Sequence, residues 1–256
     1  MQLEYVAIEK LGAIAIVHFD RKANLNAFNE QLVLELTHAA KSFHDDLDTQ
    51  AVVLAGAPNA FSAGFDLKAT DGWPSETDDL KRRHRAYNGV RLCKAWEEMP
   101  QITIAAMERL AVGAGVAIAL ACDWRVLGRG AYLYVPEVKI GLNLQWGALP
   151  RLITLVGPAR AKRITIMCEK MPAAQAFDWG LVDEIADDGR AIEKALEMAE
   201  VAVSMPAATV RMVKQAVNAT SNALHAASAF ADADQSQVTV AYAAAAAARK
   251  DFRGRS

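Results

Sequence analysis

Gly113-Ala114-Gly115 opens a stretch, Val112 to Cys122, whose side chains carry neither charge nor hydroxyl. Glycines at such a point let backbone come close to another group. Backbone N–H groups at the start of a helix favour an oxygen that gains negative charge. The chemistry on offer is therefore electrostatic stabilisation, with no acid or base inside the segment itself. Two other segments are complementary to it. Ala60–Leu67 (AFSAGFDL) carries a second small-residue turn at Ala63-Gly64-Phe65, and Tyr134–Leu142 (YVPEVKIGL) supplies a carboxylate, Glu137, directly after Pro136. A glutamate with an ordinary pKa of ~4.3 works near neutrality only if an apolar pocket raises it. On the residues alone, a carboxylate directly after a proline turn reads as a surface group.

Each of the three segments follows a β-rich run. Ile14–Phe19 and Ala51–Gly56 read as strands, with Gln101–Ala106 a third and Trp124–Leu127 a fourth. Between the first two, Leu32, Leu36, Ala39, Ala40 and Phe43 recur at helical spacing, with Asn29 placed as the cap. Lys81–Met99 reads as one helix after a polar break at Trp73–Asp79. Strands and helices in alternation predict a layered α/β core, and strand exits are where such cores place ligands. From about Ala159 the chain reads as nearly all helix, ending in an alanine-rich segment, Leu224–Lys250, suited to close packing or a subunit contact.

Composition narrows the class. The 256 residues are 53% hydrophobic with a formal net charge of −2, which gives no global bias toward nucleic acid or an anionic membrane. No window approaches the ~18 apolar residues of a membrane span, and the N-terminus lacks a signal-peptide layout. Cys93, Cys122 and Cys168 suggest neither disulfides nor zinc, which fits a cytoplasmic protein. The five histidines (His18, His38, His44, His84, His225) have no metal-ligand spacing, so no metal is expected. Ser62 lies in FSAGF rather than a G-x-S-x-G elbow, which argues against a serine hydrolase. The basic run Lys81–Arg85 reads as a solvated helical face.

Taken in order, NLNAF (Asn24–Phe28), AFSAGFDL, VGAGVAIALACD, YVPEVKIGL and MPAAQAFDWGLVDEI (Met171–Ile185) resemble the crotonase superfamily, the enoyl-CoA hydratase/isomerase family. The resemblance implies a ββα spiral core over residues 1–200 and a C-terminal helical trimerisation region over 201–256. It implies that the amides of Phe65 and Ala114 grip the thioester carbonyl of an acyl-CoA. Losing one such donor costs roughly 3–4 kcal/mol of transition-state stabilisation. It also places coenzyme and substrate contacts at Asn26, Ala27, Ser62, Ala63, Gly64, Asp66 and Leu67, and around Gly113, Gly115, Ala117, Gln145 and Trp146.

Hydratases of this family use two glutamates. Here the first position is Ala117 and the second is Glu137, and Gln145-Trp146 stand where small residues are expected. A single carboxylate suits movement of a double bond between the 3,4 and 2,3 positions, with Glu137 taking a proton and returning it elsewhere. The resemblance thus implies an isomerase-like acyl-CoA enzyme with no cofactor beyond the coenzyme A of its substrate. The alternatives are a hydratase or decarboxylase-type lyase, and a non-catalytic acyl-CoA or RNA-binding scaffold. A homotrimer or hexamer is implied, with Arg249, Lys250 and Phe230 as possible contacts to coenzyme or to a neighbouring copy.

Overall fold

Short runs of Val, Ile and Ala pair into a six-stranded sheet in the order β1-β2-β3-β4-β6-β9. These are β1 (Val6–Leu11), β2 (Ile14–Phe19), β3 (Ala51–Ala55), β4 (Ile102–Met107), β6 (Trp124–Gly128) and β9 (Glu184–Ala186). The computed structural model describes residues 3–67 and 78–254. The β1–β2 hairpin is antiparallel and turns at Gly12, whose φ of 63° suits glycine. From β2 onward every pairing in this sheet is parallel. A second sheet joins β5 (Leu110–Val112), β7 (Tyr132–Tyr134) and β8 (Met171–Pro172).

A parallel sheet must be covered on both faces, and alternation along the strands supplies two apolar sets. Ala15, Val17, Phe19, Val52 and Leu54 face a large core. That core takes in α1 (Glu30–Ser42), α3 (Asn88–Glu97), α4 (Ala114–Leu120) and the buried side of α5 (Ala148–Met167). Ile14, Ile16, Val53, Ile104 and Val126 face the other way and meet Ala191, Ala195 and Ala199 of α7 (Ala191–Val203). The small α7 face lets that helix lie close to the sheet. Lys214, on α8 (Ala207–Ser221), then latches the next helix down: its Nζ is 2.6 Å from Asp123 Oδ2 and 2.7 Å from Gln101 O.

Asn29 caps α1 through Leu32 N, as the sequence predicts. On the same helix, the buried Glu35 accepts the amides of Glu4, Tyr5 and Val6 through Oε2 at 2.8–3.1 Å. Burial opposes its ionisation, but Gln31 and these amides outweigh burial and hold the carboxyl below its ordinary value. Glu35→Ala leaves the amides without their acceptor. It is expected to cost about 2 kcal/mol in chemical denaturation and to speed hydrogen exchange at Tyr5 and Val6.

One sequence expectation changes, and others gain detail. Lys81–Met99 is not one helix: α2 (Asp79–Ala86) and α3 are separated at Tyr87. The two halves have different neighbours, since α3 buries Leu92, Cys93 and Trp96 while α2 buries no residue. The alanine-rich tail is three helices, α9 (His225–Ala229), α10 (Asp232–Ala241) and α11 (Ala243–Gly254), with Tyr242 in extended conformation between the last two. Residue 200 lies inside α7, and α8 beyond it is fastened back to the sheet through Lys214. Strands β1, β5, β7, β8 and β9 are additional; all five are only two to six residues long with mixed burial patterns. Residues 73–77 of the expected polar break lie outside the described residues. Asp78 caps α2.

Candidate active site

The chain after β2 folds into a 3-10 turn, Asn24–Asn26, with Asn24, Leu25 and Asn26 all at positive φ. Buried polar bonds stabilise this unusual path. Asn26 Nδ2 donates to Phe19 O and Phe61 O, and its Oδ1 accepts from Arg21 N. Asp66 Oδ2 holds Arg21 Nη1 at 2.6 Å and Asn24 Nδ2 at 3.0 Å. The turn brings Phe28 against Phe65 as a parallel bridge: Phe28 N donates to Gly64 O, and Asp66 N donates to Phe28 O. Because the groups on either side of Phe65 both point at Phe28, the N–H of Phe65 points the opposite way, toward the cavity that Phe65 lines.

The second amide comes from α4. As the first helical residue, Ala114 has no carbonyl one turn before it to accept its N–H. The two turns are pressed together. A Cβ placed on Gly64 would lie 2.9 Å from Val112 O and 3.8 Å from Ala114 N. Gly113 has φ 50° and ψ −108°, a combination open only to glycine. Its N–H is spent on Tyr134 O at 2.9 Å, which ties the turn to β7.

That tie delivers the carboxylate. Pro136 and Glu137 follow β7 directly, and a Cβ on Gly113 would lie 2.5 Å from Glu137 Oε1. Glu137 as a residue is only partly buried, yet its Oε2 is shielded from solvent and has no hydrogen-bond partner among the described residues. Removal from water penalises the charged form, and burial pushes the Glu137 carboxyl up to about 7. Its own backbone N–H opposes the rise only in part. A carboxyl poised near neutrality, beside two amides in a cleft, has the properties of a general acid–base.

The cavity has a volume of about 540 Å³. Phe65, Ala114, Ala117 and Glu137 line it together, as do Gln145 and Trp146. Glu30 is a second carboxylate at its edge, engaged by Arg85 Nε at 3.1 Å and Asn88 Nδ2 at 3.3 Å. The indole of Trp146 is buried and meets Phe28 and Phe65 edge-to-face, at centroid distances of 5.7 and 6.5 Å. It lies flat on the backbone of α3 at Gly89, where a Cβ would come within 2.0 Å of the ring. Replacing Gly89 by valine is expected to push the indole into the cavity and lower acyl-CoA affinity at least tenfold, as read by calorimetry.

Ala63, Gly64, Leu67 and Gly113 join these residues at the cavity wall. Asn26, Ala27, Ser62, Asp66 and Gly115 stand behind it. Asn26 and Asp66 brace the 3-10 turn, Ser62 is fully buried with its Oγ accepting Gly64 N, and Gly115 packs on Ser62. Arg249 folds back on α10, its Nη2 donating to Val240 O. Phe230 is exposed, its carbonyl accepting the Tyr87 hydroxyl. Four cavity residues of α10, Ser236, Gln237, Val240 and Ala241, had no signal in the sequence. Their approach depends on the break at Tyr242 and on the side chains that fasten α10 to the 143–147 loop.

Residues 9–252 match the family model described as enoyl-CoA hydratase/isomerase. The chain belongs to that family. It is 31% identical over 219 residues to the short-chain-enoyl-CoA hydratase of Clostridium acetobutylicum, covering 85% of this chain and 82% of the relative. It is 32% identical over 221 residues to a probable enoyl-CoA hydratase of Rhizobium meliloti, with the same coverage, 85% and 82%. Among solved structures, an enoyl-CoA hydratase/isomerase from Mycobacterium paratuberculosis superposes with a TM-score of 0.88 at 23% identity, covering 96% of this chain and 98% of that one. The mixed α/β core with C-terminal helices is thus the fold of the family, and an acyl-CoA thioester is the class of substrate consistent with it.

Proposed function

We propose that this family member shifts a double bond in an acyl-CoA thioester, using Glu137 as its single proton carrier. The observation that carries the reading is the makeup of the cavity: Glu137 is raised to about 7 by burial, while the facing position on α4 is Ala117. The thioester oxygen sits between the amides of Phe65 and Ala114, which stabilise negative charge as it develops. Glu137 removes a proton from C2 of a 3-enoyl thioester, leaving an enolate whose oxygen the amides hold. The C3–C4 pair then takes the proton at C4 from the same carboxyl, giving the 2-enoyl product. No bond to water forms, and the apolar wall of Trp146 and Leu144 disfavours one.

A second reading, hydration of the 2-enoyl thioester, is favoured by the names of the relatives, which are hydratases. With Ala117 on α4 and the Glu30 carboxylate engaged by Arg85 and Asn88, it requires Glu137 to serve both the water and C2. Proton NMR of the products from 3-enoyl-CoA and 2-enoyl-CoA separates the two. Isomerisation gives the conjugated product and leaves 2-enoyl esters without a hydroxyl at C3; accumulation of the 3-hydroxy ester would overturn the proposal.

The same reading places copies of the chain together through exposed apolar faces. Ile166 and Met167 on α5, Phe177 on α6 (Ala173–Asp178), and Met212, Val213 and Val217 on α8 are all exposed. Exposed side chains of this size cluster at protein contacts. Light scattering is expected to give three or six copies; a monomer at micromolar concentration would contradict it.

A further inference from the structure

The peptide between Trp146 and Gly147 is held at both ends by side chains that do not touch the cavity. Trp146 O accepts Arg151 Nη1 at 3.0 Å, and Gly147 N donates to Asp232 Oδ2 at 2.7 Å. Arg151 is itself fixed by a two-pronged pairing with Glu97 of α3, at 2.8 and 2.9 Å. Asp232 is the first residue of α10, and its own carbonyl accepts Asn143 Nδ2 at 3.0 Å, so the 143–147 loop is gripped at two points by the C-terminal helices.

The grip has something to hold. Trp146 has φ 63° and Gly147 φ 67°. A left-handed tryptophan is uncommon and costs of order 1–3 kcal/mol, so the surroundings must over-determine it. Gly147 N and Trp146 O are the two points at which side chains hold this left-handed turn. Burial of Asp232 makes this bond consequential as well, because a carboxylate that has lost its hydration depends on the amides that replace it.

We propose that Asp232 is a positioning residue for acyl-chain selectivity: by holding Gly147 N it keeps Trp146 across the cavity as the wall that limits acyl length. The inference rests on reading the cavity as the acyl site, not on which reaction occurs there. The indole lies between the Phe65 turn and Gly89 of α3, and the cavity wall on that side joins the apolar Val33, Ala86 and Gly89 to a polar edge at Glu30, Arg82, Arg85 and Asn88. Releasing it opens a slot into which a longer hydrocarbon chain extends. Each methylene accommodated is worth roughly tenfold in discrimination.

The test measures binding of saturated butyryl-, octanoyl- and decanoyl-CoA by calorimetry to the full chain. Wild type is compared with Trp146→Ala, Asp232→Ala, Asp232→Ser and Asp232→Asn. Trp146→Ala should shift the butyryl-to-decanoyl affinity ratio toward the long chain by roughly tenfold or more. Asp232→Ala and Asp232→Ser should shift it the same way, while Asp232→Asn, which retains an acceptor for Gly147 N, should keep the wild-type ratio. An unchanged ratio in Asp232→Ala or Asp232→Ser, with only a lower melting temperature, would reduce Asp232 to a structural residue and overturn the proposal. So would an equal shift in Asp232→Asn, or no shift in Trp146→Ala. Because the ligands are unreactive, these outcomes are read even if the double-bond shift is absent.

Discussion

Glu137→Gln is expected to lower kcat for 3-enoyl-CoA esters by roughly a thousandfold, with affinity for saturated acyl-CoA esters within about threefold of wild type. Glutamine preserves the shape beside Gly113 but neither takes nor returns a proton. A comparable drop in affinity would mean that Glu137 positions substrate rather than moving its proton. The wild-type pH profile carries the same signature. Proton removal needs the ionised carboxylate, so kcat/KM should rise as pH passes about 7 and level off above it. That rise should vanish in Glu137→Gln.

Stability should move in the opposite sense. The folded carboxyl titrates at about 7 against an ordinary value of 4.5, so the native state binds more protons than the unfolded chain between those values. Stability from this group is complete below about 4.5 and is lost as pH rises through about 7. At pH 8 the ionised, buried carboxylate costs up to about 3 kcal/mol. Glu137→Gln removes that cost, so thermal denaturation should find the variant more stable than wild type at pH 8 and little different at pH 4.5. Equal shifts at both pH values would contradict the burial of Glu137.

Gly113→Ala is the second large effect. The added methyl meets Glu137 Oε1 at 2.5 Å, and alanine does not tolerate φ 50° with ψ −108°. Relief requires moving either the carboxyl or the turn that presents Ala114 N–H, and both belong to the proposed chemistry. Activity is expected to fall at least a hundredfold, in keeping with loss of one stabilising donor, and stability by about 2 kcal/mol. Double substitution with Glu137→Gln should be far from additive, because the two groups are in contact. Additive losses would mean that Gly113 and Glu137 act separately.

Sequence reading carries some of these features and not others, for physical reasons. Gly113 and Gly64 are legible because positive φ and close approach demand glycine. Asn29 is legible because capping is local, and β2, β3, β4 and β6 because buried runs are nearly continuously apolar, whereas the three-residue, half-polar β9 is not. Glu137 is found by its place after Pro136, but its raised pKa is not a property of the segment; it arises from removal of its carboxyl from water beside the backbone of Gly113. The break at Tyr87 is hidden because both halves have helical spacing and differ only in what they pack against. Asp232 is invisible because its bond to Gly147 is made across 85 residues of chain, and Arg151 because its bond to Trp146 O depends on a left-handed turn at Trp146-Gly147 that the sequence does not announce. Ser62 and Asp66 lie in the right motif, yet burial assigns them to bracing the turn rather than facing the cavity.

One measurement bears most directly on the single-carboxyl account. Turn over 3-enoyl-CoA carrying deuterium at C2 in ordinary water, and locate the label in the product by NMR at low conversion. A carboxyl whose Oε2 is shielded from solvent should carry part of the deuterium from C2 to C4, and Glu137→Gln should show neither turnover nor transfer. A product with only solvent hydrogen at C4, or one bearing a hydroxyl at C3, would contradict a single sheltered carboxyl as the proton carrier.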